Sequence, residues 1–397
     1  MHLPDGFLDG TTALATAGGS AAVLTYAVHR ANRELGDRLV PLLGVTAAFV
    51  FAAQMVNFPV AGGTSGHLLG ALLAAVLMGP WAAVVVMTAV LGLQAIAMAD
   101  GGITAFGANV LNMGVVGGVL AYAVFAGARR LLPDSRSGFL SAVAFAAWLS
   151  VVLSAGAAAL ELAWSGTVPL GIGLRAMTSV HMIIGIGEAL ITTTVVGAVL
   201  ATRPDLIASI PPGLAAAGDA GASQAPPQGP ADGPRASRRG RARLGGFVAA
   251  ALAVSLAVAV LLAPLASQEP DGLERVAQDQ GFVSAAKEPV LNFTPFSDYE
   301  LPGIEGDLGL ILVGVAGTLA LFAGALGLGR LLSRGHGQTA TDEGAAPGPG
   351  AKPGAGPGAA AGAGPAAGRV PGHGPGHGVL GHRHSGHDHS SAQRDAG

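Results

Sequence analysis

The 397-residue chain contains no cysteine. Disulfides, zinc–thiolate sites, iron–sulfur ligation and thiol nucleophiles are thereby excluded, and any metal chemistry falls to the 11 histidines and the carboxylates. Charge is scarce as well: 11% of residues are Asp, Glu, Lys or Arg, against about 25% in ordinary soluble domains. Half of the expected solubilising surface is missing, which points to a membrane. The net charge is −3 and the only lysines are Lys287 and Lys352, so there is no broad cationic surface to neutralise a nucleic-acid backbone. Neither lysine is followed by Ser or Thr, as the phosphate loop Gly-x-x-x-x-Gly-Lys-Ser/Thr requires, and the chain is therefore not expected to be an ATPase itself.

What the sequence does have is long apolar runs. A crossing needs about 20 residues. Residues 11–28, 40–57, 106–128, 139–163, 176–201, 245–266 and 308–332 each read as one crossing. The 32 residues from Leu68 to Ala99 are too many for one straight span and too few for two full ones. Gly79-Pro80 divides them, and proline cannot continue a helical hydrogen-bond ladder, so they read as two short crossings, 68–78 and 80–99, or as a re-entrant hairpin. The expected fold is an all-α polytopic protein of the plasma membrane: a seven-span module followed by a two-span module with an external loop, nine crossings in all.

Positive residues collect on the cytoplasmic side. With the N-terminus outside and 68–99 as a hairpin, the cytoplasmic segments hold Arg30, Arg33, Arg38, Arg129, Arg130, Arg136, Arg203, the cluster Arg235 to Arg243, Arg330 and Arg334. The other side keeps only Arg175, Arg275 and Lys287. A single crossing at 68–99 would place Arg129, Arg130 and Arg136 outside and spoil that asymmetry. Residues 1–10 lack a basic n-region, so the N-terminus is expected to be translocated intact. The expected division is 1–203 for the seven-span module, 204–243 for a flexible basic cytoplasmic linker, 244–334 for the two-span module around the net acidic external segment Ser267–Gly306, and 335–397 for a cytoplasmic Gly/Ala/Pro-rich tail that cannot bury a core and should be disordered.

Four constellations could carry chemistry. In Met1-His2-Leu3-Pro4-Asp5-Gly6-Phe7 the α-amine, the His2 amide nitrogen and the His2 imidazole can chelate one metal in adjoining small rings. One more nitrogen would complete a square, the arrangement that favours nickel(II) or copper(II), and it requires a free N-terminus. The alternative is an incidental histidine. Asn57 to His67 is a loop of small residues facing the same side, with His67 either a helix-end residue or a ligand. Within the last span of the first module, His181 and Glu188 are seven residues apart and share a helical face. Ionisable groups in a membrane are costly unless paired, so they are either functional or a hydrogen-bonded pair that fixes helix packing. Asn109 and Asn112, preceded by Asp100, invite the same choice between interhelical glue and pathway lining. Gly114 with Gly118, and Ala13 with Ala17 and Ala21, form small-xxx-small faces that permit close helix contact. Finally, His373, His377, His382, His384, His387 and His389 crowd into 17 residues of the tail and would trap divalent transition metals, or are low-complexity drift.

The opening Met1-His2-Leu3-Pro4-Asp5-Gly6-Phe7-Leu8, the stretch from Gln54 through His67, and His181 to Leu190 resemble the CbiM/NikM family, the substrate-binding membrane components of cobalt and nickel transporters of the energy-coupling factor type. The resemblance spans residues 1 to about 203. Pro270-Asp271-Gly272-Leu273-Glu274 and Tyr299 to Ile304 resemble the PDGLE domain, which serves as the small second component and is often fused to the first. The resemblance implies a metal site of the Met1 amine, the His2 amide and imidazole, and the His67 imidazole, with Ni2+ or Co2+ as the transported ion and no resident cofactor. It also implies a transmembrane coupling protein and two ATPase subunits as partners. Asn57, Asn109, His181 and Glu188 stand as pathway or coupling residues. Two other functions remain open: a self-contained proton-coupled metal permease in which His181 and Glu188 relay protons, and a metal buffer or sensor working through the His-rich tail.

Overall fold

A computed structural model describes residues 1–34, 40–211, 214, 234–290, 294–304 and 306–342. The six tail histidines, His373 to His389, and residues 215–233 of the linker lie outside the described residues. The protein is helical, with α1 (Gly10–Glu34), α2 (Val40–Gln54), a small antiparallel hairpin β1 (Phe58–Val60) and β2 (Thr64–Gly66), α3 (Ala71–Met78), α4 (Pro80–Met98), α5 (Phe106–Leu131), α6 (Arg136–Trp164), α7 (Leu170–Thr202), α8 (Pro234–Ala257, running on in irregular turns to Leu265), the short α9 (Gly272–Asp279) and α10 (Asp307–Asp342). It is an all-α polytopic membrane protein.

Among the described residues six helices are long and apolar enough to cross a membrane: α4, α5, α6, α7, the Ala242–Leu265 part of α8 and the Asp307–Leu331 part of α10. The three other segments read as crossings are different in kind. At 1.5 Å per residue the 15 residues of α2 reach about 22 Å and the eight of α3 about 12 Å, short of a hydrocarbon core of about 30 Å. α1 has the length, with 25 residues, but interleaves Thr12, Thr16, Ser20, Thr25, His29 and Arg30 with its apolar positions. Segment 68–99 is a short arm and a full-length return. Pro80 sits in the first turn of α4, where its missing N–H is needed by no helical bond, directly after Gly79 at φ 93°. Both ends of this segment come back to one place, since the His67 ring stacks on His2 and Asp100 meets the same imidazole.

All eight residues of α3 are buried, as expected of a helix apolar on every side. α5 lies close to α4 through its glycines: a Cβ at Gly114 would stand 3.5 Å from the Met87 Cβ, and one at Gly118 3.6 Å from that of Ala83. Part of α5, Val110–Leu120, is wound as a π-helix, a form that recurs at functional sites. On α1 it is Ala17 that admits a neighbour, because Gly107 of α5 is so close that an added Cβ would lie 2.4 Å from the Ala17 Cα. α6 and α7 form an antiparallel hairpin, and Ser135 caps α6 by accepting the Gly138 N–H at 3.1 Å. The C-terminal helices join the same compact unit by packing on α2, where a Cβ at Gly317 would meet the Phe51 ring at 2.4 Å and one at Gly44 the Phe322 carbonyl at 3.0 Å. Asn112 of α5 donates to Glu161 of α6 at 2.6 Å, a buried interhelical bond of the glue type.

Candidate metal centre

The first nine residues form no regular element and run into the bundle as a plug. Leu3 is fully buried and Met1 nearly so. A buried backbone must find partners for its polar groups, and several are supplied here. Asn109 on α5 clamps Leu3 from both sides: the Leu3 N–H donates to Oδ1 at 2.8 Å and Nδ2 donates to the Leu3 carbonyl at 3.1 Å. The Gly102 N–H donates to that carbonyl too, at 2.8 Å. Asp5 accepts from the Thr104 N–H at 2.7 Å and hydroxyl at 2.6 Å, and from the Val290 N–H at 3.1 Å. The Phe7 carbonyl accepts from the Thr167 hydroxyl at 2.6 Å, while its ring meets Phe282 edge-on.

Gly102 tolerates no side chain in this arrangement, because a Cβ would stand 2.3 Å from the Asp5 nitrogen. Gly102→Ala is therefore expected to displace the N-terminal segment and weaken binding of any metal ion held there by about 10-fold or more, with little change in the helical circular dichroism. Isothermal titration of the purified variant checks this, and unaltered affinity would refute the clamp.

The second strand of chain comes from the β1–β2 hairpin, paired Phe58 to Gly66. Its outer edge joins the segment before α9: the Ser65 N–H donates to the Pro270 carbonyl at 2.8 Å and the Ser65 hydroxyl to the Glu269 carbonyl at 2.7 Å. Beyond His67, the N–H groups of Leu69 and Gly70 donate to the two carboxylate oxygens of Glu188 on α7, at 2.6 and 3.1 Å. Gln54 takes the Leu69 carbonyl at 2.9 Å. His67 is thus fixed between an edge pairing and a buried carboxylate.

At the meeting point the Met1 amine lies 2.9 Å from His67 Nε2 and 2.5 Å from Asp271 Oδ2. His67 Nδ1–H donates to the Leu68 carbonyl at 3.0 Å, which leaves the Nε2 lone pair facing the amine. The His2 ring stacks on that of His67 with centroids 5.3 Å apart and planes 15° from parallel. His2 Nδ1 faces Asp100 Oδ1 at 3.1 Å, and His2 Nε2 is buried with no partner. A cavity with room for about one water-sized particle lies between Met1, His67, His181, Asp271 and Gly272. Burial, then the Met1 amine and His2, hold the His67 imidazole down to about 3. Burial likewise pushes His2 below its ordinary value, against the pull of Asp100. Both rings are consequently neutral at physiological pH, the form that ligates metals. Burial would raise Asp271, but the Met1 amine and His67 outweigh it and keep the carboxyl ionised well below the usual range.

Among the described residues no three His, Asp or Glu side chains are grouped to hold a metal, so a site here must count the amine. The spacing allows it. Metal–imidazole bonds are about 2.0–2.1 Å, and neighbouring corners of a square with such bonds are about 2.9 Å apart, the distance between the Met1 nitrogen and His67 Nε2.

The residues singled out from sequence fall into place unevenly. Met1, His2 and His67 come together. His181 joins the cavity wall, its Nδ1–H donating to the Met177 carbonyl at 2.7 Å. It makes no pair with Glu188, which instead accepts from Leu69, Gly70 and Thr192. Seven-residue spacing put the two on one face, but on that face Glu188 is taken by backbone N–H groups of the neighbouring arm. Asn57 contributes its carbonyl, which accepts from the Ser267 N–H at 2.7 Å, and stands outside the cavity wall. Asp271, Asp5 and Tyr299 were not singled out. The signal for Asp271 lay in Pro270-Asp271-Gly272-Leu273-Glu274, whose short polar run reads as a helix cap; Asp271 does cap α9, accepting from Leu273 and Glu274 at 2.8 Å, with its second oxygen left for the amine.

Comparison with known proteins bears on the same segment. The family described as the cobalt uptake substrate-specific transmembrane region, CbiM, matches residues 2–206, just over half of the chain. The chain belongs to the CbiM family. A PDGLE domain matches residues 245–334. Over 209 residues the chain is 43% identical to a putative metal transport protein of Haloquadratum walsbyi, covering 52% of this chain and 93% of that one. It is 41% identical over 209 residues to a putative fused nickel transport protein NikMN of Archaeoglobus fulgidus, covering 52% of this chain and 68% of the relative. It is 36% identical over 223 residues to the fused nickel transport protein NikMN of Rhodobacter capsulatus, covering 52% and 64%. In this CbiM-family chain the PDGLE segment lies over the N-terminal plug, with the Lys287 N–H on the Asp5 carbonyl at 2.8 Å and the Tyr299 hydroxyl on Asp100 at 2.6 Å.

Proposed function

We propose that the chain is the substrate-capture component of an ATP-driven importer of the energy-coupling factor type, carrying Ni2+ or Co2+ and working with a transmembrane coupling protein and ATPase subunits. The ion is held by the Met1 amine, the His2 amide and imidazole, and His67 Nε2. The observation that carries this reading is the 2.9 Å approach of the Met1 nitrogen to His67 Nε2, with the His2 ring stacked beside them. Membership of a cobalt-uptake family and likeness to nickel transport proteins support the cargo. Four nitrogens in a square suit nickel slightly better than cobalt. The capture end faces outward, because Arg129, Arg130, Arg136 and Arg203 cluster at the opposite helix ends.

Radiolabelled nickel and cobalt uptake by membranes holding the chain and its partner subunits is expected to require ATP. Removing residues 336–397, with the six tail histidines, is expected to leave transport nearly normal at ample metal. Uptake by the chain alone in proteoliposomes, without ATP and driven by a proton gradient, would replace this reading with that of a self-contained permease.

A further inference from the structure

The metal ligands proposed above do not account for the other side of the His2 ring. Asp100, on the turn after α4, faces it through Oδ1 at 3.1 Å. The second oxygen of Asp100 accepts the Tyr299 hydroxyl at 2.6 Å, and Tyr299 comes from the PDGLE segment. The phenol oxygen accepts in turn from Gln94 Nε2 at 3.3 Å, and the same amide donates to Gln54 Oε1 at 2.9 Å. Gln54 closes the chain on the Leu69 carbonyl, two residues from His67. A continuous line of hydrogen bonds therefore runs from the His2 imidazole, through a residue of the C-terminal segment, to the backbone just beyond His67.

Two further observations bear on Tyr299. It and Asp298 are non-glycine residues held at φ 61° and 53°, in the left-handed region. Such strain persists only where the surroundings over-determine it, and here the Phe296 N–H on the Ala97 carbonyl at 2.9 Å and the Tyr299 ring against Phe51 hold the turn against the end of α4. The second observation is the orphaned His2 Nε2. The ring edge facing Asp100 carries Nδ1, and after a half-turn about Cβ–Cγ it would carry Nε2. After the half-turn Cδ2 takes the place of Nδ1, Nε2 takes that of Cε1 on the edge beside Asp100, and Nδ1 lies on the opposite edge. Chelation in a small ring with the His2 amide calls for Nδ1 on that opposite edge, with Nε2–H then donating to Asp100.

Resting on the capture reading, we propose that Asp100, held by the Tyr299 hydroxyl, is the positioning residue that fixes the orientation and tautomer of His2 when the ion is bound. A metal-ligating histidine ordinarily gives its other N–H to such a carboxylate, and loss of that partner costs about 10–100-fold in metal affinity. The PDGLE segment thereby contributes to a ligand it does not itself supply.

The test is nickel titration of the full chain in detergent, read by calorimetry and by the circular dichroism of the nickel d–d bands. Tyr299→Phe keeps the ring against Phe51 and removes only the hydroxyl. It is expected to weaken nickel binding by about 10-fold and to alter the d–d dichroism, while the melting temperature of the metal-free protein stays unchanged. Asp100→Asn is expected to lie at the upper end of the range, about 100-fold. Affinity within twofold of the parent for Tyr299→Phe overturns the inference, as does loss of binding that follows only from loss of folded protein. If the parent chain itself gives no nitrogen-ligated nickel spectrum, the capture reading fails instead.

Discussion

His67→Ala is expected to abolish saturable uptake of nickel and cobalt, and so is any residue added in front of Met1. The physical reason is that the proposed centre has only four donors and three belong to the first two residues. His67 is the sole donor from elsewhere in the chain, with its Nε2 turned to the amine by the Nδ1–H bond to the Leu68 carbonyl. Its removal leaves an incomplete square, and the cost should exceed the roughly 100-fold that marks the upper range for outer-shell partners. An N-terminal extension acts differently. It converts the amine into an amide and forces extra backbone into a space already bounded by Asp271 and Gly272. Both variants should reach the membrane, because the Leu3, Asp5 and Phe7 anchors are untouched. Uptake of labelled metal, normalised to protein in the membrane, checks the pair. Normal uptake by either would remove its group from the site.

Glu188→Ala is expected to have the next largest effect, on stability and metal affinity together. Glu188 is fully buried and accepts two backbone N–H groups of the arm that carries His67. Truncation strands both donors in an apolar interior, at about 1–3 kcal/mol each. The melting temperature in detergent should fall, and the Leu69 and Gly70 amides should lose protection from hydrogen exchange. Glu188→Gln keeps the volume and one acceptor oxygen, so its loss should be smaller. Were Glu188 a proton relay, glutamine would stop transport as completely as alanine while leaving metal affinity intact. Protected amides and parental affinity in the alanine variant would refute the anchoring role.

Long helices were the most legible part of the fold. The apolar runs at 106–128, 139–163, 176–201, 245–266 and 308–332 correspond to α5, α6, α7, α8 and α10, because a run of that length can satisfy its backbone in lipid only as a helix. Apolarity alone misreads what is buried in protein. α3 is as apolar as any span and yet only eight residues long, since its surroundings are other helices and not lipid. The Gly79-Pro80 break was readable; that the arm on one side of it is short, and the return on the other a full span, was not. α1 departs the other way, with a polar stripe of Thr12, Thr16 and Ser20 buried against the bundle, where Ser20 bonds the Gly107 carbonyl.

The sequence by itself determined the chemistry this protein has to work with. Absence of cysteine removes every thiolate donor, and His2 next to an α-amine prescribes small chelate rings, because both are properties of covalent structure. The helices of α5, α6, α7, α8 and α10 follow from runs of residues with no other way to satisfy their backbones. Only the tertiary structure decided which distant groups share a site. Asp271 reaches the Met1 amine across 270 residues, Tyr299 reaches Asp100 across 199, and Glu188 takes the arm beyond His67 and not His181. No local period encodes such pairings. They arise because an N-terminal plug, a hairpin arm and a covering segment enter one buried space, where every polar group must find a partner among whatever the fold brings there.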